Sequence, residues 1–247
     1  MQQKSEGERR RGIYLLPNLF TTAALFFGFF AIISAMEDRF SEAAIAIFLA
    51  MIFDGLDGRI ARMTNTQSAF GAEYDSLADM ISFGLAPALV IFEWSLYSLG
   101  KIGWLVAFVY TAAAALRLAR FNTQSTTADK RYFQGLASPA AAATVAGMVW
   151  VGSDYALSGV DISWVALVVT LLAALLMVSN IRYYSFKDFD PRHRIPFVAL
   201  ILVVMVFVLI SIDPPQVLFA AVVIYLFSGP VLTVVMRLKV RRQRKYH

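Results

Sequence analysis

A chain of 247 residues, 59% of them hydrophobic and with a mean hydropathy of +0.64, is too apolar for an ordinary soluble domain. Its formal net charge is +5, and its basic residues cluster beside apolar runs, which points to lipid head groups and excludes a need for a nucleic-acid partner. Cysteine is absent and the two histidines are His193 and His247, so disulfides and thiolate chemistry are excluded, and any metal site must use oxygen ligands suited to Mg²⁺, Mn²⁺ or Ca²⁺.

Residues 1–14 form a polar, charged segment. Apolar runs follow near 15–36, 42–61, 72–95, 102–120, 134–152, 162–183, 195–212 and 215–236, each close to the ~20 residues that cross a bilayer. The first run is not followed by a small-residue cleavage site and reads as a retained transmembrane helix. The run at 134–152, rich in alanine and glycine, also fits a helix lying along the surface. The fold class is therefore all-α: a polytopic integral membrane bundle of about eight helices. It forms a single domain over 15–236, followed by a polybasic tail at 237–247. If the N-terminus faces the cytoplasm, 20 of the Lys and Arg fall on the inside connections and only Arg39 and Lys101 on the outside. That asymmetry predicts that both termini are cytoplasmic.

The second and third runs carry acids. Asp54, Asp57, Gly58 and Ala61 share one helical face, and Gly71, Asp75 and Asp79 share another. The polar residues between Arg62 and Gly71 read as a cytoplasmic turn, so the two faces converge near the membrane surface. Carboxylates near hydrocarbon cost about 2.5–3.5 kcal/mol each, and four together repel one another. Arg59 and Arg62 supply two positive charges at most, whereas one or two divalent cations satisfy several carboxylates and can clamp a phosphate. The plain alternative is a salt-bridge cluster that closes the helix ends. Gly58 and Gly71 either let helices pack closely or let a nucleotide approach the backbone.

The pattern Asp54-x-x-Asp57-Gly58-x-x-Ala61-Arg62, then eight residues, then Gly71-x-x-x-Asp75-x-x-x-Asp79 resembles the signature of the CDP-alcohol phosphatidyltransferases at every fixed position. Within that family the chain is most similar to the bacterial membrane-type phosphatidylserine synthases. The similarity lies in PNLFTTAALFFGF (17–29), QSAFGAEYDSLADMISFGLAPA (67–88), RLARFNT (117–123), FQGLASPAAA (133–142) and YYSFK (183–187). It departs at Ala24, where the family usually has Asn, and at Ala137, where it usually has Pro.

The resemblance implies transfer of a phosphatidyl group from CDP-diacylglycerol to L-serine, with release of CMP, dependent on Mg²⁺ or Mn²⁺, with two such ions per active site. Asp54, Asp57 and Asp75 match the family's metal ligands. Asp79 matches its general base, with some metal contact of its own. Gly58, Ala61, Arg62, Gly71 and Thr21 fall on the CDP-diacylglycerol side. It further implies a homodimer in the bacterial inner membrane, with the active site at the cytoplasmic face.

Arg117 and Arg120 read either as positive-inside flanking or as anion recognition of serine or phosphate, and Asn122 travels with them. Lys187 divides the same way. Serine selectivity falls to Glu73, Ser82 or the segment 133–139. The rivals are a related transferase with another acceptor (glycerol phosphate, inositol phosphate or choline) and, more remotely, a divalent cation transporter. The transporter would need acids at the bilayer midplane and in several spans, whereas here they gather at one end.

Overall fold

Alanine governs how these helices meet. A computed structural model describes residues 4–64, 66, 68–124, 132–184 and 197–243. Nine α-helices lie among the described residues: α1 (Lys4–Met36), α2 (Phe40–Thr64), α3 (Ala69–Asp79), α4 (Ala86–Trp94), α5 (Lys101–Gln124), α6 (Ser138–Asp154), α7 (Ser163–Val178), α8 (Phe197–Ile212) and α9 (Pro214–Gln243). The contact between α1 and α2 is the most extensive, and its buried positions include Ala31, Ala35, Ala43, Ala44, Ala46 and Ala50. Small side chains let backbones approach closely, which is how helices bind one another where lipid supplies no hydrophobic drive. The large apolar side chains point outward instead, Phe26, Phe29, Phe108, Trp164 and Phe207 among them.

Four described helical stretches are long and apolar enough to cross a membrane: Pro17–Met36, Ala69–Trp94, Lys101–Thr123 and Pro214–Val234. Helix α7 is apolar but shorter. Helix α6, on the run where a surface position also fitted, lies instead at the centre. It packs on α2, α4, α7 and α9 and buries residues on every side. Its alanines and Gly147 suit a helix with neighbours all round.

Two local details differ from the sequence expectation. The run 72–95 is not one α-helix. α3 and α4 are joined by a π-helical turn, Met80–Leu85, in which the Ala86 N–H reaches back to the Ile81 carbonyl. The run 162–183 stops being helical at Val178, and residues 182–184 form a strand, β2 (Arg182–Tyr184), antiparallel to β1 (Tyr132–Gln134). Helices α1 and α9 run beyond the apolar runs at 15–36 and 215–236, from Lys4 and to Gln243, while their apolar spans, Pro17–Met36 and Pro214–Val234, agree closely with those runs.

The π turn follows Asp79 directly. Ser82 in it donates to the Ala24 carbonyl at 3.0 Å, and the Tyr110 hydroxyl donates to the Phe83 carbonyl at 3.2 Å. Gly28 makes this possible: a Cβ there would lie 2.7 Å from Ser82 Cα. Ala24 is therefore a packing point, 3% exposed, rather than a ligand-facing position.

Candidate active site

Helices α2 and α3 leave the same turn and run back beside each other, so each presents its acidic face to the other. Asp54, Asp57 and Asp75 each offer an oxygen within 4.8 Å of the others. Asp79, one turn deeper than Asp75, meets the Asp54 carboxyl at hydrogen-bonding distance, and Asp57 meets Asp75 in the same way. The structure thus brings all four predicted aspartates together. Asp57 is buried and is held by Thr21, whose Oγ1 lies 2.7 Å from Asp57 Oδ2.

Among the described residues no Lys or Arg forms an ion pair with any of the four; the ion pairs there join Arg39 to Glu37 and Glu42. Among the described residues the salt-bridge alternative therefore finds no cation to pair with the cluster. Four carboxyl groups with no ion pair among the described residues call for protons or cations between them. The donor set is all oxygen, closely spaced and rigidly mounted on two helices. It fits a hard divalent cation and does not fit a soft one.

A cavity of about 330 Å³ opens beside the cluster, lined by residues that include Thr21, Asp57, Gly58, Ala61, Arg62, Gly71 and Asp75. Every residue assigned from sequence to the nucleotide side is among them. The two glycines differ. A Cβ at Gly58 would meet nothing within 4 Å, so that position is open to a ligand. A Cβ at Gly71 would crowd Ser68 Oγ at 3.1 Å and Asn18 Oδ1 at 3.4 Å, so Gly71 packs α3 against α1. Arg62 donates from Nε to the Gly58 carbonyl at 2.8 Å and is otherwise exposed. Ser68 caps α3, accepting from the Gly71 N–H at 2.9 Å.

The basic candidates separate. Arg117 turns inward, donating from Nη1 to Ser138 Oγ at 2.7 Å, with Asp79 in electrostatic reach. Arg120 turns to the α7 end, 3.3 Å from Asn180 Oδ1 and 3.4 Å from the Ser179 carbonyl. Asn122 donates to Ser76 Oγ at 3.0 Å and ties α5 to α3. Lys187 lies outside the described residues. Of the candidates for serine selectivity, Glu73 is exposed, Ser82 is engaged by α1, and Ser138 in the 133–139 segment reaches Arg117. Tyr225 on α9, also in electrostatic reach of Arg117, had no sequence signal, since nothing near it forms a motif. At the second departure from the family pattern, Ala137 precedes α6 with φ −63° and ψ 138°, a conformation proline would also adopt.

Residues 14–178 match the profile of the CDP-alcohol phosphatidyltransferase family. Two Helicobacter pylori proteins named CDP-diacylglycerol–serine O-phosphatidyltransferase are similar to the chain. One is 37% identical over 228 residues, covering 92% of this chain and 94% of the relative. The other is 41% identical over 196 residues, covering 79% and 83%. A protein of that name from Methanocaldococcus jannaschii is 36% identical over 142 residues, 58% of this chain and 63% of its own length. The matched segment contains α2, α3 and all four aspartates, and the chain belongs to the CDP-alcohol phosphatidyltransferase family.

Proposed function

We propose that this protein transfers a phosphatidyl group from CDP-diacylglycerol to the hydroxyl of L-serine, giving phosphatidylserine and CMP. The observation that carries this reading is the unpaired carboxylate cluster beside an open cavity, in a chain whose relatives bear the serine transferase name.

Asp54, Asp57 and Asp75 would hold a divalent cation, Mg²⁺ or Mn²⁺, with Asp79 sharing in a second, and such ions when bound draw charge from diphosphate oxygens and stabilise the departing phosphate. Thr21 fixes the orientation of Asp57. The open wall at Gly58, with Ala61 and Arg62 on the next turn, takes the cytidine end of the donor. Asp79 accepts the proton of the serine hydroxyl. The serine oxygen then bonds to the phosphorus that carries diacylglycerol, and the bond from that phosphorus to the bridging oxygen breaks, so that CMP leaves with the electron pair. Arg117, Arg120 and Asn122 border the acceptor side, with Lys187 assigned there from sequence.

The chain crosses the membrane eight times as one domain over 15–236, with 1–14 and 237–247 in the cytoplasm and the carboxylates at the cytoplasmic face of a bacterial inner membrane. Twenty of its 22 basic residues on one side of the alternation support that orientation. It works as a homodimer, by analogy with its family.

The test is CMP release from CDP-diacylglycerol by purified protein, with serine, glycerol 3-phosphate, inositol phosphate or choline supplied in turn. Serine alone should support release, and chelation of divalent ions should abolish it. Asp79→Asn should lower the rate about 10²–10⁴-fold. Release with a different alcohol would refute the serine assignment. No release with any acceptor, from folded protein, would return the cluster to ion transport.

A further inference from the structure

Arg117 lies on α5 with its guanidinium enclosed in the bundle. Nη1 donates to Ser138, while Nε is fully enclosed and has no hydrogen-bond partner. Among the described residues no carboxylate lies within salt-bridge distance of it. An enclosed guanidinium keeps a planar fork of donors, and a planar anion fills that fork with paired bonds.

The surroundings add to the same preference. Ser138, 0% exposed, is the first residue of α6. No side chain caps that 17-residue helix, and its first-turn N–H groups point out of its start with the positive end of its dipole. From the far end of the sequence, α9 brings Tyr225 within electrostatic reach of the guanidinium. Its place is fixed by the next layer. The Tyr225 and Tyr183 rings lie 5.5 Å apart, and the Tyr183 hydroxyl donates to the Leu226 carbonyl at 3.0 Å. Gly229 lies flat on Tyr183, where a Cβ would come within 2.4 Å of the ring. Asp79, the proposed base, is also within electrostatic reach of the Arg117 guanidinium.

We propose that Ser138 and Tyr225 complete, with Arg117, an anion pocket that holds the carboxylate of the acceptor while its hydroxyl faces Asp79. This rests on serine being the acceptor. It makes selectivity for an amino acid over an uncharged alcohol a joint property of α5, α6 and α9. Tyr225 and Tyr183 lie beyond the residues matched to the family as a whole, 14–178, as a feature tied to one acceptor would.

The experiment compares Ser138→Ala and Tyr225→Phe with the unaltered enzyme in CMP release, varying serine and CDP-diacylglycerol separately and replacing serine by serinol, which lacks the carboxylate. Each variant should raise the serine KM about tenfold, the loss of one hydrogen bond to a charged group, with kcat and the KM for CDP-diacylglycerol little changed. The unaltered enzyme should prefer serine to serinol, and each variant should shrink that preference about tenfold. A rise in the CDP-diacylglycerol KM instead would mean that the pocket holds donor phosphate, and would overturn the proposal. So would an unchanged serine KM in both variants. Absence of serine-dependent release by the unaltered enzyme would sink the serine reading itself, and with it the pocket's occupant.

Discussion

Thr21 shows how a single side chain converts an acid into a fixed ligand. Its hydroxyl binds Asp57 Oδ2 across 36 residues of sequence, from α1 to α2. Removing it with Thr21→Val should leave the fold intact but weaken Mn²⁺ binding about tenfold, the usual cost of losing a group that orients a ligand. A Mn²⁺ titration followed by electron paramagnetic resonance reads this directly, and equal affinity in the two proteins would refute the role. The aspartates themselves were legible in the sequence because helical spacing alone decides which of them share a face. Arg117 was not decidable there. The same residue suits a membrane flank or an anion site, and only the inward turn toward Ser138, 21 residues away, separates the two. Tyr225 was invisible for a plainer reason: its neighbours in space are Arg117 and Tyr183, and neither is near it in sequence.

Elements were legible where their pattern is long. Each apolar run contains a helix, and the turn between α2 and α3 falls among the polar residues that predicted it. The strands escaped because three residues are too few to show an alternation. They nevertheless hold the start of α6, which carries Ser138. Gly135 links β1 to that start with φ +79°, and a Cβ there would lie 2.3 Å from the Met177 carbonyl. Gly135→Ala should therefore cost about 1–3 kcal/mol from backbone conformation alone, before the clash is counted. Thermal unfolding in detergent measures it, and a melting temperature equal to that of the unaltered protein would show that the junction is not under this constraint.

At the scale of the whole molecule, the turns sort into two ends. The α2–α3 turn, the end of α5, the start of α6 and the two strands gather near the carboxylates. Residues 38–42, Trp94, Tyr97 and 156–160 line a cavity at the other end. Because the chain has no cysteine, single cysteines report this arrangement without background. Met63→Cys, at an 83% exposed position, should react with an impermeant maleimide only from the cytoplasmic side. Ser98→Cys should react only from the opposite side. Labelling of both from the same side would refute the proposed topology. The number of apolar runs was readable from composition. The central place of α6 was not, since a helix of small residues fits equally well among close neighbours and along a surface.

The π turn at Met80–Leu85 has a consequence for how the third run tolerates change. Each α-helical residue advances the azimuth by about 100°, and a π turn absorbs one extra residue without that advance. The acidic half, α3, and the packing half, α4, are thus written in two different phases along one continuous helix. Within either half, a substitution alters one contact. A one-residue deletion inside 80–85 would keep every chemical group in the site and leave an unbroken α-helix. It would also keep Asp75 and Asp79 aimed at Asp54 and Asp57, whereas one further residue that the turn does not absorb would swing them about 100° relative to the packed half.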